Sequence, residues 1–164
     1  MRRALALPVI AAALVSLPAL ARDSLGVFGN WAAFRDAGVP RCYAIAVADS
    51  TARDKPTFQP YATIATWPKR GVRGQVYFRL SHRLAAHSPA HLAVSGTHFD
   101  LVPGKTDAWA ADKRMDAAIV AAMRSASGMV ISARAADGHL FRDYYNLDGV
   151  ASAMDAAALG CAAN

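Results

Sequence analysis

The sequence predicts a mainly β chain: a single antiparallel β-sandwich or flattened barrel domain with two short helices in its C-terminal third. Three observations carry that reading. Short alternating runs, separated by Gly, Pro, Asn and Asp, recur from Val27 to Leu147 and make about seven to nine strands. Helical periodicity is confined to two late segments, so strands do not alternate with helices and a parallel doubly wound sheet is disfavoured. Beyond a general richness in alanine, no repeat, low-complexity tract or linker divides the chain.

The chain opens with a targeting pattern. Met1-Arg2-Arg3 is a positive start, residues 4–17 are a short apolar run, and Ala19-Leu20-Ala21 is an A-x-A cleavage site. The run is shorter than the roughly 20 apolar residues of a membrane span. Residues 1–21 therefore read as a signal peptide and 22–164 as the folded domain, with a mature start at Arg22. Arg2 and Arg3 lack the wider context of a twin-arginine signal, and no Cys follows the cleavage site for a lipid anchor. No later segment is apolar enough to span, so no transmembrane segment is expected after cleavage. The expected location is the periplasm or outside the cell. Removing 21 residues from 164 leaves 143, enough for one domain that buries roughly 68% of its unfolded surface. It also leaves 16 basic and 12 acidic residues, a net charge of +4. That mild excess suits anionic surfaces but lacks the dense basic stripe of a nucleic-acid binder.

Taken in order, residues 22–26 read as a polar leader and 27–34 as a first strand carrying Phe28, Trp31 and Phe34. Residues 36–40 are a turn. Residues 41–48 alternate, with Cys42, Ala44, Ala46 and Ala48 on one side and Tyr43, Ile45 and Val47 on the other. The bulkier set is expected to face the core, leaving the cysteine side against a covering helix. Residues 49–60 hold two prolines and read as a loop. Residues 61–67 are β-branched and aromatic, hence a strand. A basic turn at 68–74 leads into a strand at 75–82, with Val76, Phe78 and Leu80 in phase. After a loop at 83–90, Leu92 and Val94 share one phase and Phe99 and Leu101 the other, so Ser95-Gly96 is a tight turn or bulge. Residues 108–110 add a short strand.

The last third is the most legible. Over 112–124, Met115, Ala118, Ile119, Ala122 and Met123 form one helical stripe, with Asp112 as the N-cap. Residues 129–135 and 139–147 are strands joined at Asp137-Gly138, a type I′ hairpin signal. Tyr144 and Tyr145 point to opposite faces. Asp148 is placed to cap a second helix near 149–160, whose Val150, Ala153, Met154, Ala157 and Cys161 share one face. Its stripe of small residues predicts a clamp on the sheet without chemistry of its own.

The cysteines number two, Cys42 and Cys161, in a compartment where disulfides persist. A bridge is expected; two buried free thiols are the alternative. All 12 acidic residues are Asp, which excludes a zinc-protease HExxH motif and any mechanism that needs a Glu. No nucleophile elbow, phosphate-binding loop, dinucleotide fingerprint or C-x-x-C is present. His82, His87, His91 and His98 fall within 17 residues and are the candidate metal ligands, with His139 farther on. Pro89 breaks the helical spacing of His87 and His91, so surface histidines are the favoured reading and no metal or other cofactor is expected. Lys69, Arg70 and Arg73 form a basic tip, which reads first as a solvated turn and otherwise as a contact for an anionic envelope component such as lipopolysaccharide.

These residues also resemble a known family. Phe28-Gly-Asn-Trp31, Arg41-Cys-Tyr-Ala44, Val94-Ser-Gly-Thr-His-Phe99, Trp109-Ala110, Asp116-Ala-Ala-Ile119, Ala122-Met-Arg124, Tyr145-Asn-Leu-Asp-Gly149 and Cys161 follow the order and spacing of the invasion-associated locus B family of exported α-proteobacterial proteins. The resemblance implies a mainly β fold, export and no established enzymatic activity, and it supplies no catalytic or ligand residues. The family name comes from an association of some members with host-cell invasion. Residues 49–60 and 82–91 depart from the family pattern. The expected function is that of a non-enzymatic envelope-associated protein, acting through contact with an envelope or host protein or an anionic surface component. The alternatives are a small metal-dependent or hydrolytic enzyme built on a His/Asp cluster, and a binder of a small ligand in an apolar cavity. Alkylation and mass measurement check the bridge: no label without reductant and two after reduction are expected, and two thiols labelled without reductant would remove it.

Overall fold

A computed structural model describes residues 22–36, 38–49 and 55–162. The proposed signal peptide, residues 1–21, lies outside them, as does part of the loop at 49–60. Among the described residues ten strands form one antiparallel sheet: β1 (Arg22–Phe28), β2 (Trp31–Asp36), β3 (Arg41–Val47), β4 (Tyr61–Trp67), β5 (Val72–Arg79), β6 (Ala90–Val94), β7 (Thr97–Pro103), β8 (Asp107–Trp109), β9 (Gly128–Arg134) and β10 (Leu140–Asn146). Helix α1 (Lys113–Ser125) lies between β8 and β9, and α2 (Val150–Ala162) follows β10. The strand order is β1-β2-β3-β4-β5-β8-β7-β6-β9-β10. The sheet curls into a half-barrel. Just beyond β3, Asp49 donates its backbone N–H to Tyr144 of β10 at 2.7 Å, and the Ser81 N–H reaches the buried Asp143 carboxylate at 3.0 Å.

The inward phase of each strand builds the core. Val76, Phe78 and Leu80, Leu92 and Val94, Ile131 and Phe141 are at most 1% exposed. Each such side chain contributes roughly 1.5–3 kcal/mol relative to exposure. Helix α1 closes this core with Ile119 and Met123. Asp112 caps it through the Met115 N–H at 2.8 Å, and Asp116 accepts the Val76 N–H at 2.8 Å, tying the helix to β5. Burial raises the pKa of the Asp116 carboxyl.

Residues 22–26 are not a leader, and 27–34 is not one strand. Residues 22–28 form the edge strand, and Gly29-Asn30 turns the chain into β2. Polar residues disguise β1 because its charges bond sideways: Arg22 to Asp36 at 3.1 Å and Arg35 to Asp23 at 2.7 Å. On β3 the bulkier set does not fill the core. Cys42, Ala44 and Ala46 are at most 4% exposed on the inner face; Tyr43 is buried too, at 3%, but on the outer face beneath Arg22 and Arg41, and Val47 is 60% exposed. Helix α2 lies against β1, β2 and β3, and only small residues allow it that close. The turn after β9 is wider than a type I′ turn. It is closed by Gly138 N–H to Ala135 and Ala135 N–H to His139, and Gly138 alone adopts positive φ there.

Helix α2 buries Val150, Ala153, Met154, Ala157 and Cys161, the stripe read from the sequence. Its first helical hydrogen bond runs from Ala153 to the Gly149 carbonyl, so Gly149 takes the cap position rather than Asp148. The Asp148 carbonyl instead accepts the Asn30 N–H at 3.1 Å, and the Trp31 indole donates to the Asn146 carbonyl at 3.0 Å. Gly29 (φ +54°) and Gly149 (φ +83°) meet at this junction; a Cβ on Gly149 would lie 1.8 Å from the Phe28 carbonyl oxygen. At the other end of α2, Cys161 bridges Cys42 with Cα atoms 5.7 Å apart, closing a separation of 119 residues. The chain-entropy account values a loop of that size at about 4–5 kcal/mol.

Thermal unfolding of the oxidised protein tests the clamp. Ala157→Arg buries an unpaired charge and is expected to cost about 3 kcal/mol or more. Gly149→Ala, which combines positive φ with a backbone collision, is expected to cost more than about 2 kcal/mol. Ending the chain after Asp148 is expected to abolish cooperative unfolding. Parent-like melting of both substituted proteins, with a cooperative truncated chain, would make α2 an appendage.

Candidate functional site

Outward-pointing residues of the central strands build a groove. Cross-strand register sets Ile45, Thr63, Tyr77 and Trp109 in one row, and Tyr43, Ala65 and Gln75 in the next. Small residues on β4 make a low floor between taller neighbours on β3 and β5. The resulting hollow is about 630 Å³ and is also lined by Arg22, Arg41, Tyr61 and Trp67. Tyr61 and Tyr77 pack at 6.0 Å between ring centroids, and Trp109 is 39% exposed at the rim.

Guanidinium groups stack on this aromatic wall. Arg41 lies over Tyr43 at 4.7 Å and Trp67 at 5.2 Å, and Arg22 over Tyr43 at 5.7 Å. One carboxylate, Asp36, accepts from both Arg22 (3.1 Å) and Arg41 (2.8 Å), which leaves a surplus positive charge. Arg70 adds another over Trp67 at 4.9 Å. At the opposite end Tyr77 donates to Asp107 at 2.5 Å, and Arg79 contacts the same carboxylate at 3.2 Å. The lining holds no carboxylate. Flat rings, fixed cations and the polar ends of Thr63 and Gln75 suit a ligand with apolar faces and negative charge.

The residues of the basic tip read from the sequence lie on different sides of the hairpin. Pro68–Arg70 is a single 3-10 turn, and Lys69, Arg70 and Arg73 are all exposed. Arg70 folds toward the groove, whereas Arg73 lines a second hollow on the other face of β4, with Ile64, Thr66 and both helices. The tip had been visible as charge. The groove was not, because its residues come from five strands and share no local motif.

The histidines do not converge. His82 is buried, with Nδ1 3.1 Å from the Thr57 hydroxyl and its ring against His139 at 4.8 Å. His91 pairs with Asp100 across β6 and β7 at 2.7 Å, and His87 and His98 are exposed. Among the described residues no three His, Cys or Asp side chains group as a metal site. Tyr144 and Tyr145 do face opposite ways, at 41% and 2% exposure.

Three phenols are held neutral beyond their ordinary range. Burial raises Tyr43, with Asp36 adding to it; burial and then the Asp107 hydrogen bond raise Tyr77; burial and then Asp143 raise Tyr145. A phenol with a raised folded pKa contributes stability that is whole below its unfolded value, about 10, and is lost as pH rises through the folded value. Phenolate absorbance is therefore expected to show these three ionising late, together with alkaline unfolding. All five tyrosines of the chain ionising near pH 10 with the fold intact, about the ordinary phenol value, would contradict the placement.

Comparison with family models finds no match, and comparison with curated proteins finds none either. Among solved structures the chain is similar to invasion associated protein B from Bartonella henselae, with a TM-score of 0.58 and 16% identity over 82% of this chain and 96% of that one. At that identity the likeness is one of fold, and it makes this chain a structural relative of invasion associated protein B.

Proposed function

We propose that the protein is an exported, non-enzymatic envelope protein of the invasion-associated locus B type that holds an anionic surface component in its outer groove. Arginines stacked on an aromatic wall carry this reading. Aromatic faces suit the apolar faces of sugar rings, and the guanidinium surplus suits phosphate or carboxylate groups borne on them. A phosphorylated oligosaccharide of the lipopolysaccharide kind combines both features. The rings, guanidinium groups and hydroxyls of the lining offer recognition chemistry. Cleavage after residue 21 and residence in the periplasm or outside the cell belong to the same reading. Support comes from the A-x-A leader, the Cys42–Cys161 bridge and the absence of a long apolar helix among the described residues.

Titration with a phosphorylated core oligosaccharide and its dephosphorylated form tests this, read by tryptophan fluorescence. The phosphorylated form is expected to bind more tightly, with affinity falling as salt rises. Arg70→Ala, at an exposed site, is expected to weaken it by about tenfold, equivalent to about 1.4 kcal/mol, and Trp109→Ala by a similar factor. Equal binding of the two sugars, or no effect of either substitution, would overturn the reading.

A further inference from the structure

Behind the groove, on the inner face of β4, the fold leaves a cleft that the core does not fill. It is about 520 Å³ and opens between the β4–β5 hairpin and the two helices. Ile64, Val72, Val120, Met154, Ala157 and Ala158 give it apolar walls. Small residues keep it open. A Cβ on Gly74 would meet only Val120, at 3.8 Å, and one on Gly71 would meet nothing within 4 Å. Interiors normally close such gaps, because lining atoms without neighbours forgo dispersion contacts. Here α2 is not free to move inward, since Cys161, itself part of the lining, is fixed to Cys42 on β3.

The charges of the lining are Arg73 and Arg124, both positive and both exposed. Arg124 already binds a carboxylate, Asp155, at 2.6 Å across the helix pair. We infer that the cleft is a second binding site, for a single-chain fatty-acid anion, with the acyl chain on the apolar walls and the carboxylate at Arg73, the lining arginine that no acidic side chain neutralises among the described residues. The planar fork of an arginine matches a carboxylate in two hydrogen bonds. The volume lies at the size of a one-chain ligand, within the roughly 300–1,000 Å³ of small-molecule sites. Alternation along β4 separates the sites: Ile64 and Thr66 face the cleft, whereas Thr63, Ala65 and Trp67 face the groove. This site does not depend on what the groove binds.

Calorimetric titration of the oxidised mature protein with dodecanoate, below its aggregation concentration, tests the site. Dodecyltrimethylammonium serves as the same tail with the opposite charge. Saturable binding of one dodecanoate is expected, with the cation at least about tenfold weaker, equivalent to about 1.4 kcal/mol. Arg73→Ala is expected to weaken dodecanoate by a similar factor. Val120→Trp and Ala158→Trp each place an indole in the cleft and are expected to abolish binding. Ala158 is exposed, so its variant keeps the test informative if Val120→Trp fails to fold. Trp109→Ala, in the groove, is expected to leave dodecanoate binding unchanged. No saturable binding by the parent, equal binding of the cationic tail, or undiminished binding by a folded tryptophan variant would overturn the inference.

Discussion

The contact between the first turn of the domain and the entry to its last helix sets the geometry of everything else. Asn30 donates to Asp148, the Trp31 indole donates to Asn146, and Gly29 and Gly149 supply the backbone shapes that let the two segments touch. More than a hundred residues of chain, from β2 through α1 to β10, lie between them. Closing such a loop has a large entropic cost, and the disulfide at the far end of α2 reduces it by constraining the unfolded chain. The helix is therefore pinned at both ends across β1, β2 and β3.

Pinning α2 there decides which way β3 faces. A helix resting on a strand leaves room for Cys42, Ala44 and Ala46 and none for Tyr43 or Ile45. Those larger groups turn outward, where they become a wall of the groove. The neighbouring β4 carries the consequence on both faces, with small residues flooring the outer groove and Ile64 reaching the inner cleft. Both hollows thus follow from the same helix position, although their chemistry differs. One combines rings with guanidinium groups; the other combines aliphatic walls with two arginines at the rim.

Charges are arranged to keep the outer face positive. Asp36 is shared by two arginines, so neither is neutralised in full, and the rings beneath them take part of the desolvation. Asp107 is engaged by Tyr77 and Arg79 at the other end. The histidines are spread over separate elements: His82 packs beneath His139, and His91 pairs with Asp100 at the surface.

What the sequence determined by itself is local. The phases of β5 and β6, the presence of strands β9 and β10, the stripe on α2 and the Asp112 cap of α1 were legible because period, turn signals and capping chemistry are properties of a few consecutive residues. The cysteines were legible as a pair because the chain has only two. Tertiary structure decided the rest. Alternation names two faces of β3 but not which one is inside, and that depended on a helix more than a hundred residues away. The polar edge strand looked like a leader because its charges bond across to β2, not along the chain. The basic tip split because Arg70 in the turn and Arg73 on β5 take sides set by the pairing of β4 with β5, whose register shifts between Ala65 and Trp67. The groove stayed hidden for the same reason: its floor and walls are neighbours only across hydrogen-bonded strands, and no short stretch of sequence carries that register.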